Sequence, residues 1–289
     1  MLRHFLKHTW LGRIVMIPAR FLLIALPSLG RQFVQIIRWT FTSKEHYNHT
    51  YYLTELNTQY LASYIAVVSG HPVAVIEGYM KELANDTTLR AALEQQALAS
   101  PDRHNSDIEP RYGRRLGWYA LIRATKPRVI VETGVDRGLG TAVMAAALKK
   151  NAAEGCPGIV YATDIIPTCG YLIAEPYKQF CRVLIGDSIE SLKKFPEPVD
   201  IFLHDSDHRA EYEWAEFLAI EPRLHENSLV MSDNSQATAK LREFAERVGK
   251  SFLYFQDNPQ DHWWPGDGIG TVFVPGKVIQ IQNRPAQRH

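Results

Sequence analysis

From Gly117 onward the chain alternates short apolar runs with segments of helical period, and no other feature limits its fold so tightly. In order come GWYALIRAT as helix, RVIVET as strand, a glycine-rich turn, TAVMAAALKK as helix, and the strands IVYATDI and RVLIGD. Helix IESLKKF, strand VDIFLHD, helix EYEWAEFLAIEPRL, strand SLVMSD and helix TAKLREFAERV follow. Alternation of this kind predicts a parallel, doubly wound sheet whose ligands sit at the carboxyl ends of the strands. Two late strands, SFLYFQ and IGTVFVP, are expected to add an antiparallel edge. At 289 residues the chain has room for one such domain and an appendage.

The appendage differs in charge. Residues 1 to 44 hold Arg3, Lys7, Arg13, Arg20, Arg31, Arg38 and Lys44 and no acid, although the whole chain is nearly neutral at +1. Within them WLGRIVMIPARFLLIALPSLGRQFVQIIRW is apolar enough to touch lipid, yet arginines recur and Pro18 and Pro27 interrupt it. An uninterrupted apolar run of about 20 residues, as a bilayer span needs, is absent. A secretory leader is not expected either, because Arg20 splits the apolar core. The segment therefore reads as a pair of interfacial helices on an anionic membrane surface, a peripheral attachment with arginines snorkelling. Packing on the domain or a homodimer contact is the alternative. Residues 45–110 read as a helical lead-in, with Leu61, Tyr64, Ile65 and Val68 at helical spacing and ASPDRHNSDIEPRYG as the linker. Residues 111–289 are the ligand-binding domain.

Composition supports a globular chain, with 46% hydrophobic and 22% charged residues, and no nucleic-acid partner is expected. Cys156, Cys169 and Cys181 form no CxxC pair, which fits reduced thiols and a cytoplasmic location, at the inner face of the membrane if the first 44 residues bind there.

The turn after the first strand, VIVETGVDRGLGT, carries Glu132, Gly134, Gly138 and Gly140. Its glycines allow close backbone approach to a ligand. The order E-x-G-x-x-x-G-x-G departs from the dinucleotide G-x-G-x-x-G, and its acid suits a ligand with positive charge. Asp164 ends the second strand 24 residues after Gly140, where an acid can accept from ribose hydroxyls. Asp187 and Ser188 follow the third strand and could meet an adenine edge. Each signal is weak alone, and an acid that ends a strand is usually a helix cap; in this order they point to an adenosine-containing ligand. The fold class read from these residues is α/β: a Rossmann-like, doubly wound, mostly parallel sheet with an antiparallel edge and a helical N-terminal extension.

From about Gly117 to Asn234 the chain resembles the class I S-adenosylmethionine-dependent methyltransferases, in particular the metal-dependent O-methyltransferases of catechol and caffeoyl-CoA type and bacterial sugar O-methyltransferases. Residues 1 to 100 have no part in that match. The resemblance implies Glu132 and Gly134 along the methionine part of the cofactor, with Gly138 in the same loop. It places Asp164 at the ribose and Asp187 with Ser188 beside adenine.

Strands four and five end in Asp205 and in Asp233-Asn234, so oxygen donors are expected to converge, and hard donors without cysteine suit Mg²⁺. The resembled family holds its metal with an Asp after the fourth strand and an Asp-Asn pair after the fifth, which Asp205, Asp233 and Asn234 match. Its general base is a lysine three residues after the first metal Asp, where this chain has His208. Histidine can take a hydroxyl proton near neutral pH. Asp207 could orient it, act as base, or replace Asp205 as ligand. Against the metal stands a plainer reading of Asp205 and Asp207 as helix caps and of Asp233-Asn234 as a turn. Arg111, Tyr112 and Arg114, and the loop residues His262, Trp263 and Trp264, are candidate substrate walls.

The activity expected is methyl transfer from S-adenosylmethionine to a hydroxyl of a small-molecule, sugar or lipid-linked acceptor, with Mg²⁺ orienting the hydroxyl. A metal-independent methyltransferase using His208 as base, a non-catalytic membrane-associated scaffold and an NAD-dependent oxidoreductase are the alternatives. The glycine spacing disfavours the last.

Overall fold

The computed structural model describes residues 8–45 and 49–279, together with residues 4 and 6. Its centre is a seven-stranded sheet in the order β3-β2-β1-β4-β5-β7-β6. The strands are β1 (Val129–Thr133), β2 (Ile159–Asp164), β3 (Cys181–Ile185), β4 (Val199–His204), β5 (Leu224–Asp233), β6 (Ser251–Gln256) and β7 (Gly268–Phe273). The first five run parallel, and β7 lies antiparallel between β5 and β6. All the strands read from sequence form, and the antiparallel edge is where it was expected.

Strands β1 and β4 are buried along their whole length, as near-continuous apolar runs of a two-sided sheet must be. Their side chains alternate between two cores: Ile130 faces one, Val129 and Val131 the other. The second core is closed by α7 (Ser188–Lys194), α8 (Ala210–Ile220) and α9 (Lys240–Arg247), through Leu192, Phe217 and Phe244. The first is closed by α5 (Arg115–Thr125) and α6 (Leu139–Ala153) and by helices that precede them in the chain.

Those earlier helices pack into the same core as the sheet. Helices α2 (Glu55–Ser69), α3 (Val73–Ala84) and α4 (Thr87–Ala99) share the first core through Leu61, Ile65, Ile76 and Leu89. A Cβ on Gly117 would stand 2.9 Å from Leu61 Cδ1, so α5 approaches α2 closely only because that position is glycine. The Tyr64 hydroxyl donates to Thr271 at 2.6 Å and pins α2 to β7. The lead-in and the domain are thus one packed body.

The N-terminal segment also departs from expectation. One continuous helix, α1 (Trp10–Thr42), replaces the pair of short ones. A π-helical turn over Phe21–Ala25 widens the helix ahead of Pro27, which then falls in the first turn of the segment that follows. Its 33 residues extend about 50 Å at 1.5 Å per residue, longer than a hydrocarbon core of about 30 Å. Within it only Gly12 is buried. It does not pack on the domain along its length.

Candidate active site

Sheet order decides where a ligand can lie. Strand β1 pairs with β2 on one side and β4 on the other, so the chain reverses its direction of travel across the sheet there and opens a crevice above the strand tips. Register then aligns the tips: Glu132 lies opposite Leu203, Thr133 opposite His204, and His204 opposite Ser232. Asp205 and Asp233 therefore leave the sheet side by side. Gly134 is held at φ +86°, and a Cβ there would lie 1.9 Å from the Asp205 carbonyl oxygen. Only glycine lets the first loop cross the end of β4.

A cavity of about 350 Å³ opens at this point, with Glu132, Gly134, Asp205, His208, Asp233 and Asn234 on its wall. Six of the residues singled out in the sequence thus meet in one place. Arg114, Arg115 and Trp264 also line it, and so does 106–110, the stretch read as a linker.

Glu132 is 1% exposed, and burial pushes its carboxyl up to about 8 against the opposing hydrogen bond from Thr141. A cationic group placed beside it would favour the ionised form. Arg115 stands on the same wall; its guanidinium lies over the Trp118 ring at 5.2 Å, and its Nε is buried with no hydrogen-bond partner. Together they offer an anionic and a cationic group to a zwitterion.

The other cofactor candidates lie off this wall. Asp164 caps the loop: one carboxylate oxygen accepts the backbone N–H groups of Val135 and Asp136, both at 2.9 Å, and the other accepts from Ile166 at 2.8 Å. Gly138, at φ +91°, is the N-cap of α6. Asp187 caps α7 by accepting from Glu190, and the Ser188 hydroxyl is engaged by Tyr212 and Glu216.

Beyond Asp205 the two base candidates diverge. His208 Nε2 stands 3.0 Å from Asn234 Nδ2 and 3.9 Å from Asp205 Oδ1. Burial first, and then neighbouring His204, lower its pKa, so the imidazole is neutral and able to accept a proton. Asp207 turns outward to Arg209, whose hydrogen bonds hold its carboxyl below the usual range. It is not brought to the cavity.

The proposed metal ligands are brought together, but two of the three are occupied. The buried Arg114 guanidinium donates to both oxygens of Asp233, through Nε and Nη2, and Nη2 also lies 3.5 Å from Asn234 Oδ1. Its remaining nitrogen donates to Asp257 at 2.7 Å and to the Tyr51 hydroxyl at 3.2 Å. Burial would raise the Asp233 carboxyl, but Arg114 outweighs it and holds the group below the usual range. Asp205 has no cation bonded to it, and burial, reinforced by the charge on Asp233, raises it well above that range. A divalent ion on Asp233 and Asn234 would have to share them with a guanidinium. As arranged, the three donors do not fit Mg²⁺.

Arg114 belongs to a segment noted for substrate walls, yet its pairing with Asp233 could not be read from the sequence. Arg115 was missed, and the adjacent Arg-Arg pair at the start of α5 is the only signal that could have drawn attention to it.

Residues 131–235 match a family model described as a methyltransferase domain. The chain carries a methyltransferase domain. It is the domain of an enzyme, and its sheet order is that of a Rossmann-like fold. No curated protein matches the chain. Among solved structures, cofactor-bound Rv0187 from MTB aligns with a TM-score of 0.50 at 16% identity over 66% of this chain and 92% of that one. An O-methyltransferase from Bacillus cereus in complex with SAH gives 0.47 and 18% over 66% and 91%. TomG from Streptomyces achromogenes, an O-methyltransferase of tomaymycin synthesis in complex with SAM, gives 0.47 and 17% over the same shares. At these identities the likeness is one of fold.

Proposed function

We propose that the enzyme transfers the methyl group of S-adenosylmethionine to a hydroxyl of a small-molecule, sugar or lipid-linked acceptor, with His208 as the base and Arg114 as the fixed cation of the site. The observation that carries this is the presence of Glu132 and His208 in one cavity at the β1/β4 crevice. Glu132 meets the amino group of the methionine moiety and Arg115 its carboxylate. The adenosine half extends over the open edge past Val135 and Asp136, whose amides Asp164 holds in place.

The acceptor oxygen attacks the sulfonium methyl carbon. As the C–O bond forms, the C–S bond breaks and sulfur keeps the electron pair, while the hydroxyl proton passes to the His208 imidazole, the Asn234 amide turning aside from Nε2 to free its lone pair. Asn234 sets the direction of that imidazole, and Arg114 fixes the Asp233-Asn234 turn. Burial raises the Asp205 carboxyl and so disfavours a second negative charge opposing the developing alkoxide. The Mg²⁺-assisted reading has one point in its favour, that among the described residues no lysine or arginine forms an ion pair with Asp205, whose one such neighbour is His208 at 3.9 Å.

Calorimetry on the full chain tests the cofactor. S-adenosylmethionine is expected to bind at one site per chain and NAD not at all; binding of NAD alone would overturn the proposal. The exposed apolar length and acid-free charge of α1 support attachment to the cytoplasmic face of a membrane, and so an acceptor presented there. Removing residues 1–44 should abolish sedimentation with anionic vesicles; undiminished sedimentation would exclude α1 as the anchor.

A further inference from the structure

A second set of ligating side chains lies where the chain after α1 meets the loop between β6 and β7. Glu45, His49 and His262 each offer one ligand atom, and these atoms lie within 4.8 Å of one another. Glu45 is 5% exposed. Its Oε1 accepts the Thr50 backbone N–H at 2.8 Å and the Thr50 hydroxyl at 2.5 Å, while its Oε2 is buried with no partner. His49 Nδ1 and His262 Nε2 are buried without partners as well. Buried polar atoms are almost always paired, and a carboxylate oxygen is the costliest to leave bare. Three such atoms on three neighbouring side chains make a donor set with a definite chemistry.

We propose that Glu45, His49 and His262 form a zinc site that ties the segment after α1 to the β6–β7 loop. Two imidazoles and one carboxylate, without thiolate, make a donor set suited to Zn²⁺, whereas Mg²⁺ and Ca²⁺ prefer oxygen alone. Donors about 2 Å from a tetrahedral ion stand about 3.4 Å apart, so closing on the ion asks the side chains to move by about 1 Å. His262 Nδ1 accepts the Trp264 backbone N–H at 3.0 Å. Ligation through Nε2 puts the ring proton on Nδ1 and releases that amide, shifting the neighbouring indoles. Trp39 of α1 and Trp263 pack edge-on to His49, at centroid distances of 5.5 and 5.3 Å, so they report on the same event.

The consequence is positional. His49 and Trp264 both line the catalytic cavity, and Trp39 lies near the end of α1. One ion would fix the acceptor wall and the base of the N-terminal helix together. None of its ligands belongs to the Asp205, Asp233 and Asn234 cluster.

The full-length protein, stripped with a chelator and titrated with ZnCl₂, tests this by calorimetry, tryptophan emission and thermal unfolding. One Zn²⁺ per chain is expected, with a shift in emission and a raised Tm. Glu45→Gln and His262→Ala should each weaken binding at least about tenfold, and Asp205→Asn should leave it unchanged. If either variant fails to unfold cooperatively, His49→Gln replaces it. The proposal is overturned if the native chain shows no saturable Zn²⁺ binding, if the ligand variants bind as the native chain does, or if binding is lost in Asp205→Asn instead.

Discussion

The tips of β4 and β5 carry the same functional group one strand apart, and the structure treats them in opposite ways. Asp233 at the end of β5 is clamped by both arms of the Arg114 guanidinium and stays ionised. Asp205 at the end of β4 has no such partner, and burial, with the charge on Asp233, raises its carboxyl well above the usual carboxylate range. Two like charges this close cannot both persist, so the charge settles where the arginine is. The pattern Asp, then Asp-Asn, describes donors; which donors are free depends on a cation from another part of the chain.

Removing that cation breaks the comparison most severely. Arg114→Met leaves Asp233 and Asp257 buried without their counter-charge, and a loss of about 3–5 kcal/mol in denaturant-unfolding stability is expected. A loss under 1 kcal/mol would show that the ion pairs do not form in solution. Next in size is the base: His208→Gln should lower kcat by about 10²–10⁴ while the calorimetric Kd for S-adenosylmethionine stays unchanged. Equal losses in both would make His208 a binding residue.

Glu132 sharpens the contrast from the cofactor side. Its carboxyl is raised to about 8, so the cationic amino group finds it protonated at neutral pH and binding must expel that proton. Affinity for S-adenosylmethionine should therefore increase as pH rises through about 8, and Glu132→Gln should flatten the profile. The stability contribution has the opposite sense: a folded-state pKa above the unfolded value gives stability that is present at low pH and lost through the same window. A pH-independent Kd would remove Glu132 from the cofactor site. Smallest is the change at the other tip. Asp205→Asn replaces a buried acid, whose carboxyl lies well above the usual range, by its uncharged isostere, so stability should move by less than about 0.5 kcal/mol and turnover should survive; loss of turnover would return Asp205 to the metal reading.

What the sequence made legible is local in origin. Strand and helix periods are set by neighbours two to four residues away, and the acids at strand ends follow from them, so the sheet and the meeting of Glu132, Asp205, His208 and Asp233 could be anticipated. Pairings across the chain could not. Arg114 reaches Asp233 across 119 positions and Asp257 across 143, distances at which periodicity carries nothing. The polar stretch 99–113 reads as a linker by composition, yet Asp107 accepts from the Ser43 hydroxyl and the Lys44 amide, and 106–110 lines the cavity. Pro18 and Pro27 read as breaks, but Pro18 lies inside the helix and Pro27 follows a π turn within it. Asp187 and Ser188 sit at the right strand end, yet capping and the Glu216 contact claim their side chains.

The account turns on whether a guanidinium or a divalent ion supplies the charge at these two tips. Release of S-adenosylhomocysteine by the metal-stripped protein, with catechol, sugar and lipid-linked hydroxyls as acceptors, measures it directly. The same turnover with and without added Mg²⁺ is predicted. Turnover absent until Mg²⁺ is restored would contradict it and give Asp205, Asp233 and Asn234 back to the metal.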